Sequence, residues 1–90
     1  MQHESKEIKD AIRFFIHNTM LKKIHSFSND EDLFEINILD SIELLRLINH
    51  IEQQYQIVIT PIEITIDNFK NISKISTLIE QKLSKKKIKI

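Results

Sequence analysis

Isoleucine, leucine and phenylalanine recur three and four residues apart in three stretches of the chain, the spacing that places side chains on one face of an α-helix. The first stretch, residues 4–21, therefore predicts an amphipathic helix. Its predicted buried stripe consists of Ile8, Ile12, Phe15, Ile16 and Met20. Polar side chains, among them Lys6, Asp10 and Arg13, occupy its other sides.

The second stretch begins abruptly at Asp40-Ser41 and predicts a helix that runs to about Tyr55. Asp40 is a good N-cap residue, and Glu43 follows three positions later, as in a reciprocal capping pair. The predicted buried stripe is Leu44, Leu47, Ile48, Ile51 and Tyr55, widened by Ile42 and Leu45. The opposite face, which is predicted to meet water, carries Glu43, Arg46, His50 and Gln53.

The third stretch predicts a helix from about Ile72 to Leu83. Its predicted buried face consists of Ile72, Ile75, Ile79 and Leu83. The following residues are rich in lysine, at positions Lys85, Lys86, Lys87 and Lys89. Residues 84–90 are predicted to fray, so the sequence divides into a folded domain of residues 1–84 and a lysine-rich tail of residues 85–90.

Two connections differ in character from the helices. Residues 22–39 lack periodicity but carry apolar side chains from Leu33 to Leu39, which predicts a long, ordered loop over the core with a helical turn near residues 32–34. In residues 57–69 alternating isoleucines favour a strand, whereas Thr60-Pro61-Ile62-Glu63 is typical of a helix start. Because a lone strand has no partner, a short, irregular helix between Pro61 and Phe69 is predicted.

Composition supports an all-α fold in one domain. The 90 residues are 41% hydrophobic and include no glycine and one proline, Pro61. A chain without glycine is poor in hairpin turns, which need positive φ. The expected architecture is a helical bundle of three main helices and one short third helix, with a long first loop.

Charge and residue types exclude several classes of function. Thirteen basic and thirteen acidic residues cancel, so no long-range field favours nucleic acid or an anionic membrane. Cysteine is absent, and the four histidines (His3, His17, His25 and His50) show no ligand spacing, so no metal site is predicted. The polar N-terminus lacks the pattern of a signal peptide, and no apolar run reaches membrane-spanning length. A monomeric, cytoplasmic protein is expected.

An Asp-Ser pair at a helix start is usually an ordinary cap, but its surroundings here are specific. Residues 32–48, DLFEINILDSIELLRLI, resemble the attachment region of acyl carrier and peptidyl carrier proteins. The resemblance continues through residues 51–55 and 57–59. Residues 67–72 are similar to the third-helix segment of stand-alone carriers, including the D-alanyl carrier type.

This resemblance implies a function for named residues. Ser41 would carry a 4′-phosphopantetheine arm taken from coenzyme A by a phosphopantetheinyl transferase, and Asp40 would contact that transferase or its magnesium ion. An acyl- or aminoacyl-activating ligase or synthase would then load the arm. The chain itself would not be an enzyme, because no glycine-flanked elbow or neighbouring histidine activates Ser41.

Two departures from the family pattern refine the expectation. Asn37 stands where the family commonly has glycine, and asparagine is the residue that best replaces glycine in a left-handed backbone. The second helix is also less acidic than in fatty-acid carriers, which favours dedicated partners in a specialised pathway. The expected partner-recognition residues are Ile42, Glu43, Arg46 and His50.

Three alternatives remain open from the sequence. Leu44, Leu45, Ile48 and Ile64 are candidates for lining an acyl-chain space, although plain packing is the more frequent role of such residues. The chain would be an interaction module if the carrier fold were kept without the arm. A small helical nucleic-acid binder using the lysine tail is the third alternative, and the neutral net charge opposes it.

Overall fold

A computed structural model describes residues 5–19 and 26–87, with side chains described up to residue 85. Within these ranges the helices are α1 (Ser5–Thr19), α2 (Ser41–Tyr55) and α3 (Ile72–Lys87), and a short 3₁₀ helix spans Pro61–Glu63. No strand occurs in the described part of the chain, which confirms the all-α prediction. The predicted end of the first helix at Leu21 and the stripe residue Met20 lie outside the described residues.

The helices pack mainly through residues of their predicted apolar stripes. Ile8, Ile12 and Ile16 of α1 are buried, and α1 packs most extensively on α3. Helix α2 runs antiparallel to α1, since Phe15 stacks on His50 with ring centroids 3.9 Å apart, while Glu7, nearer the start of α1, acts electrostatically on Tyr55 at the end of α2. One hydrophobic core joins all three helices and the connections between them.

The first loop is ordered where it is described, over residues 26–39, and Arg13 of α1 holds it. The Arg13 guanidinium donates to the Phe27 carbonyl oxygen at 2.6 Å and to Asn29 Oδ1 at 2.5 Å. It also lies 4.5 Å from the centroid of the buried Phe27 ring. The Asn29 carbonyl accepts from the Ser73 N–H at 3.0 Å, so the loop is tied to both α1 and α3.

The second connection confirms the prediction of a short, irregular helix, and the strand alternative is wrong. Thr60 precedes the 3₁₀ helix, and its N–H donates to Glu63 Oε1 at 2.9 Å. Lys82 of α3 donates to the same oxygen at 2.6 Å. Lys82 first, and then the Thr60 N–H, lower the pKa of Glu63 to about 2. This ion pair fastens the connection to α3.

The last helix is longer than the sequence predicted. It ends at Lys87, so the predicted end at Leu83 is wrong, and residues 84–87 are helical rather than frayed. Lysine has a good intrinsic helix propensity, and cations are stabilising near the negative C-terminal end of a helix. Residues 88–90 lie outside the described part.

Candidate functional site

Ser41 is the first residue of α2, and its side chain is exposed. Asp40 before it is extended (φ −120°, ψ −170°), and its Oδ1 accepts a hydrogen bond from the Glu43 N–H at 2.9 Å. The Asp40 carbonyl accepts from the Leu44 N–H at 2.9 Å. These bonds confirm the predicted cap. They use neither the Ser41 nor the Ile42 N–H, which belong to the positive end of the helix dipole.

The backbone before the cap is fixed by a tight reversal. Asn37 has φ 63°, in the left-handed region, which confirms the expectation that asparagine takes the place of glycine here. The N–H groups of Ile38 and Leu39 donate to the Leu33 carbonyl at 2.9 and 3.0 Å, and both side chains are buried. Asp40 and Ser41 therefore follow directly from an anchored segment.

The reversal is itself held by a contact that local sequence patterns did not reveal. The Leu33 N–H donates to the Lys70 carbonyl at 2.7 Å, which joins the first loop to the segment before α3. Asp32 Oδ1 accepts from the N–H groups of Phe34 and Glu35 and forms the helical turn predicted near residues 32–34. A backbone contact across 37 positions leaves no signal in hydrophobic periodicity.

Two apolar side chains next to Ser41 lie on the outside of α2. Ile42 is 66% exposed and Leu45 is 63% exposed, so the prediction that they widen the buried stripe is wrong. At about 100° per residue, Leu45 lies about 100° and Ile42 about 160° from the centre of the buried stripe. Leu45 is therefore no candidate for lining an interior acyl space. Ile48 is buried, and Leu44 and Ile64 pack half-buried against the core.

The predicted water-facing row of α2 is divided in the structure. Arg46 and Gln53 are exposed, as expected. Glu43 is only 14% exposed, and its Oε1 lies 3.4 Å from Arg46 Nε. His50 is half-buried because Phe15 of α1 stacks on its ring. The prediction that Glu43 and His50 face water is therefore wrong.

Burial gives His50 an effect on the pH dependence of folding. Desolvation lowers its pKa from 6.5, so the folded state resists a proton that the unfolded state accepts. The free energy of unfolding should therefore be highest above pH 6.5 and should fall as the pH drops through 6.5 towards the folded-state pKa. Urea denaturation between pH 7.5 and 5 measures this change. His50→Phe, which keeps an aromatic ring on Phe15, should lose it, and an identical pH profile in both proteins would contradict the assignment.

Asp40 has a structural role that can be measured separately from any role in recognition. Asp40→Ala removes the acceptor for the Glu43 N–H, so we expect the free energy of unfolding to fall by about 1 kcal/mol. Asp40→Asn keeps a capping oxygen and should lose only a few tenths of that. Denaturant titration of both variants checks this. Equal losses would show that the negative charge, rather than the hydrogen bond, stabilises the helix start.

The histidine of α2 is too far along the helix to act as a base for Ser41. His50 lies nine residues further along α2, about 13 Å at 1.5 Å per residue, beyond reach of the Ser41 hydroxyl. An exposed hydroxyl at the start of a 15-residue helix suits a bulky anionic substituent such as a phosphodiester. Residues 5–19 and 26–85 contain no cluster of three metal-ligating side chains. No helix among the described residues is long and apolar enough to cross a membrane.

Comparison with known families identifies the family to which this chain belongs. The family described as the phosphopantetheine attachment site matches residues 18–79, which include Asp40, Ser41 and all of α2. No curated protein matches the sequence. The matched range covers most of the chain, so the chain belongs to the phosphopantetheine attachment-site family. Domains of this family carry 4′-phosphopantetheine covalently and are in general carriers rather than catalysts.

Proposed function

We propose that this member of the phosphopantetheine attachment-site family holds acyl or aminoacyl groups on an arm joined to Ser41 Oγ and presents them to partner enzymes. The observation that carries the proposal is the position of Ser41. Ser41 is exposed and is the first residue of α2. It directly follows the capping residue Asp40 and an anchored loop, and it lies inside the segment that the family matches.

The residues around Ser41 suit each requirement of attachment. Ser41 Oγ would form the new P–O bond while its proton passes to the transferase, and the pyrophosphate bond of coenzyme A would break to release the nucleotide part. The resulting phosphodiester stays anionic, and the positive end of the α2 dipole favours an anion there. When bound, the arm supplies a terminal thiol that carries its cargo as a thioester.

The partners follow from this chemistry. A phosphopantetheinyl transferase would install the arm, and an acyl- or aminoacyl-activating ligase or synthase would load it. Asp40 would contact the transferase or its magnesium ion. The mixed charges of α2 support dedicated partners in a specialised biosynthetic pathway, and the need for coenzyme A as donor supports a location in the cytoplasm.

Mass spectrometry of the intact chain tests the proposal. The purified protein, given coenzyme A, magnesium and a broad-specificity transferase, should gain the mass of one arm. Peptide mapping should then locate that mass on Ser41. The interaction-module alternative predicts no gain. If a transferase that modifies an established carrier in the same tube leaves this chain unchanged, and chain recovered from its own cell bears no arm, the proposal is wrong.

A further inference from the structure

The exposed face of α2, on which Ser41 lies, is mostly uncharged. Its exposed side chains are Ser41, Ile42, Leu45, Arg46, Asn49, Gln53 and Gln54. Arg46, which is 60% exposed, is the one formally charged residue among them. A partner that approaches this face therefore meets apolar surface, neutral amides and one cation, Arg46, which is paired with Glu43 through Nε.

The two acidic residues of α2 are turned towards internal contacts. Glu43 is 14% exposed and lies 3.4 Å from Arg46 Nε. Glu52 is half-buried, and its Oε2 accepts from the Ile59 N–H at 2.9 Å. Asp40, next to Ser41 in sequence, is exposed, and its Oδ1 caps the helix. The acidic side chains of α2 are thus mostly turned away from its exposed face.

Arg46 borders a hollow that suits a carboxylate. The hollow has a volume of about 250 Å³ and lies between α1 and α2, lined by Arg46, Asn49, Gln53, His50, Phe15 and Thr19. None of these side chains is acidic, and the two amides add N–H donors beside the guanidinium. The guanidinium fork matches the geometry of a carboxylate.

The apolar residues continue this surface towards Ser41. Ile42 and Arg46 are four positions apart on α2, and Ile42 and Leu45 are three apart, so their side chains are neighbours on the helix. Both aliphatic side chains are more than 60% exposed. The Arg46 guanidinium and the apolar patch of Ile42 and Leu45 therefore form one contact surface within two helical turns of the Ser41 hydroxyl.

We infer that the transferase acting at Ser41 docks on this face with an acidic side chain that enters the hollow at Arg46, and with an apolar surface that covers Ile42 and Leu45. The inference rests on the proposed function. An acidic second helix would be expected to meet basic side chains of a transferase, whereas this helix would meet an acidic one. Complementary charge steers association and fixes its register, so removal of the cation weakens docking more than it affects chemistry.

The test measures arm installation on the full-length apo chain by the transferase of its own cell, with coenzyme A as donor and intact mass as readout. Arg46→Glu should lower kcat/KM about tenfold or more, mainly through KM, and the difference from the natural chain should shrink as salt is added. Arg46→Lys should keep most of the rate. Leu45→Gln should also lower kcat/KM, because it removes apolar surface without changing charge.

Lys6→Glu is the matched control for the charge change. Lys6 is 86% exposed and lies near the start of α1, at the end of the bundle opposite Ser41, since neighbouring Glu7 acts electrostatically on Tyr55 at the end of α2. Its kcat/KM should not change. Thermal unfolding of each variant checks that its fold is intact.

The outcomes separate this inference from the proposed function. If the natural chain takes up no arm, the proposed function fails and the docking inference fails with it. If the natural chain is modified but Arg46→Glu reacts at the same rate or faster, the docking inference alone is overturned, and a neutral or basic docking surface is indicated. A loss in Arg46→Glu that Lys6→Glu reproduces also overturns it, because the effect is then one of net charge.

Discussion

Ser41→Ala is expected to take up no phosphopantetheine, while its fold remains that of the natural chain. The substitution removes the hydroxyl that would form the phosphodiester, so no bond to the arm is possible. Ser41 is exposed, and alanine is a good helix former, so the free energy of unfolding should change by no more than about 0.5 kcal/mol. Incubation with coenzyme A and transferase, followed by intact-mass measurement, gives the result directly.

Ser84→Ala is the matched control for this loss. Ser84 is also an exposed serine on a helix, but it lies near the end of α3. This variant should gain one arm at the rate of the natural chain. A mass gain in Ser41→Ala would show that another residue is modified. Failure of both variants would show that the assay responds to general damage rather than to the hydroxyl at position 41.

Phe69→Ala is expected to lower the free energy of unfolding by about 3–5 kcal/mol, the largest change in stability that we predict. Phe69 is fully buried and is among the largest side chains that the fold encloses completely. Its N–H donates to the carbonyls of Thr65 and Ile66, both at 3.2 Å, so the ring is held at the end of a tight turn. The backbone therefore has little freedom to collapse into the cavity.

A loss of this size is a large part of the total stability of a small domain, which is commonly about 5–15 kcal/mol. The thermal midpoint should fall by at least about 12 °C for a domain of this size. Phe14→Ala is the matched control, because Phe14 is 71% exposed and its truncation should change the free energy of unfolding by no more than about 0.5 kcal/mol. Similar losses in both variants would contradict the core assignment.

Local patterns determined much of this protein. The apolar spacing predicted α1 and α2 and the start of α3, and short-range chemistry predicted the Asp40 cap and the start of a short helix at Thr60-Pro61. The left-handed conformation of Asn37 was also predicted, because backbone sterics restrict that region to few residue types. These features depend on interactions between residues only a few positions apart, so the local sequence is sufficient to predict them.

The tertiary structure alone decided which side chains of α2 face a partner. His50 is polar, yet α1 brings Phe15 onto its ring, and the Ile59 N–H reaches Glu52 from beyond the helix. Leu45 is apolar, yet no neighbouring element covers it within the described structure, so it stays exposed. Polarity by itself does not tell whether a residue meets water or a neighbour, because that depends on elements distant in the chain. The position of Ser41 was thus readable from sequence, whereas the charge that surrounds it was decided by packing.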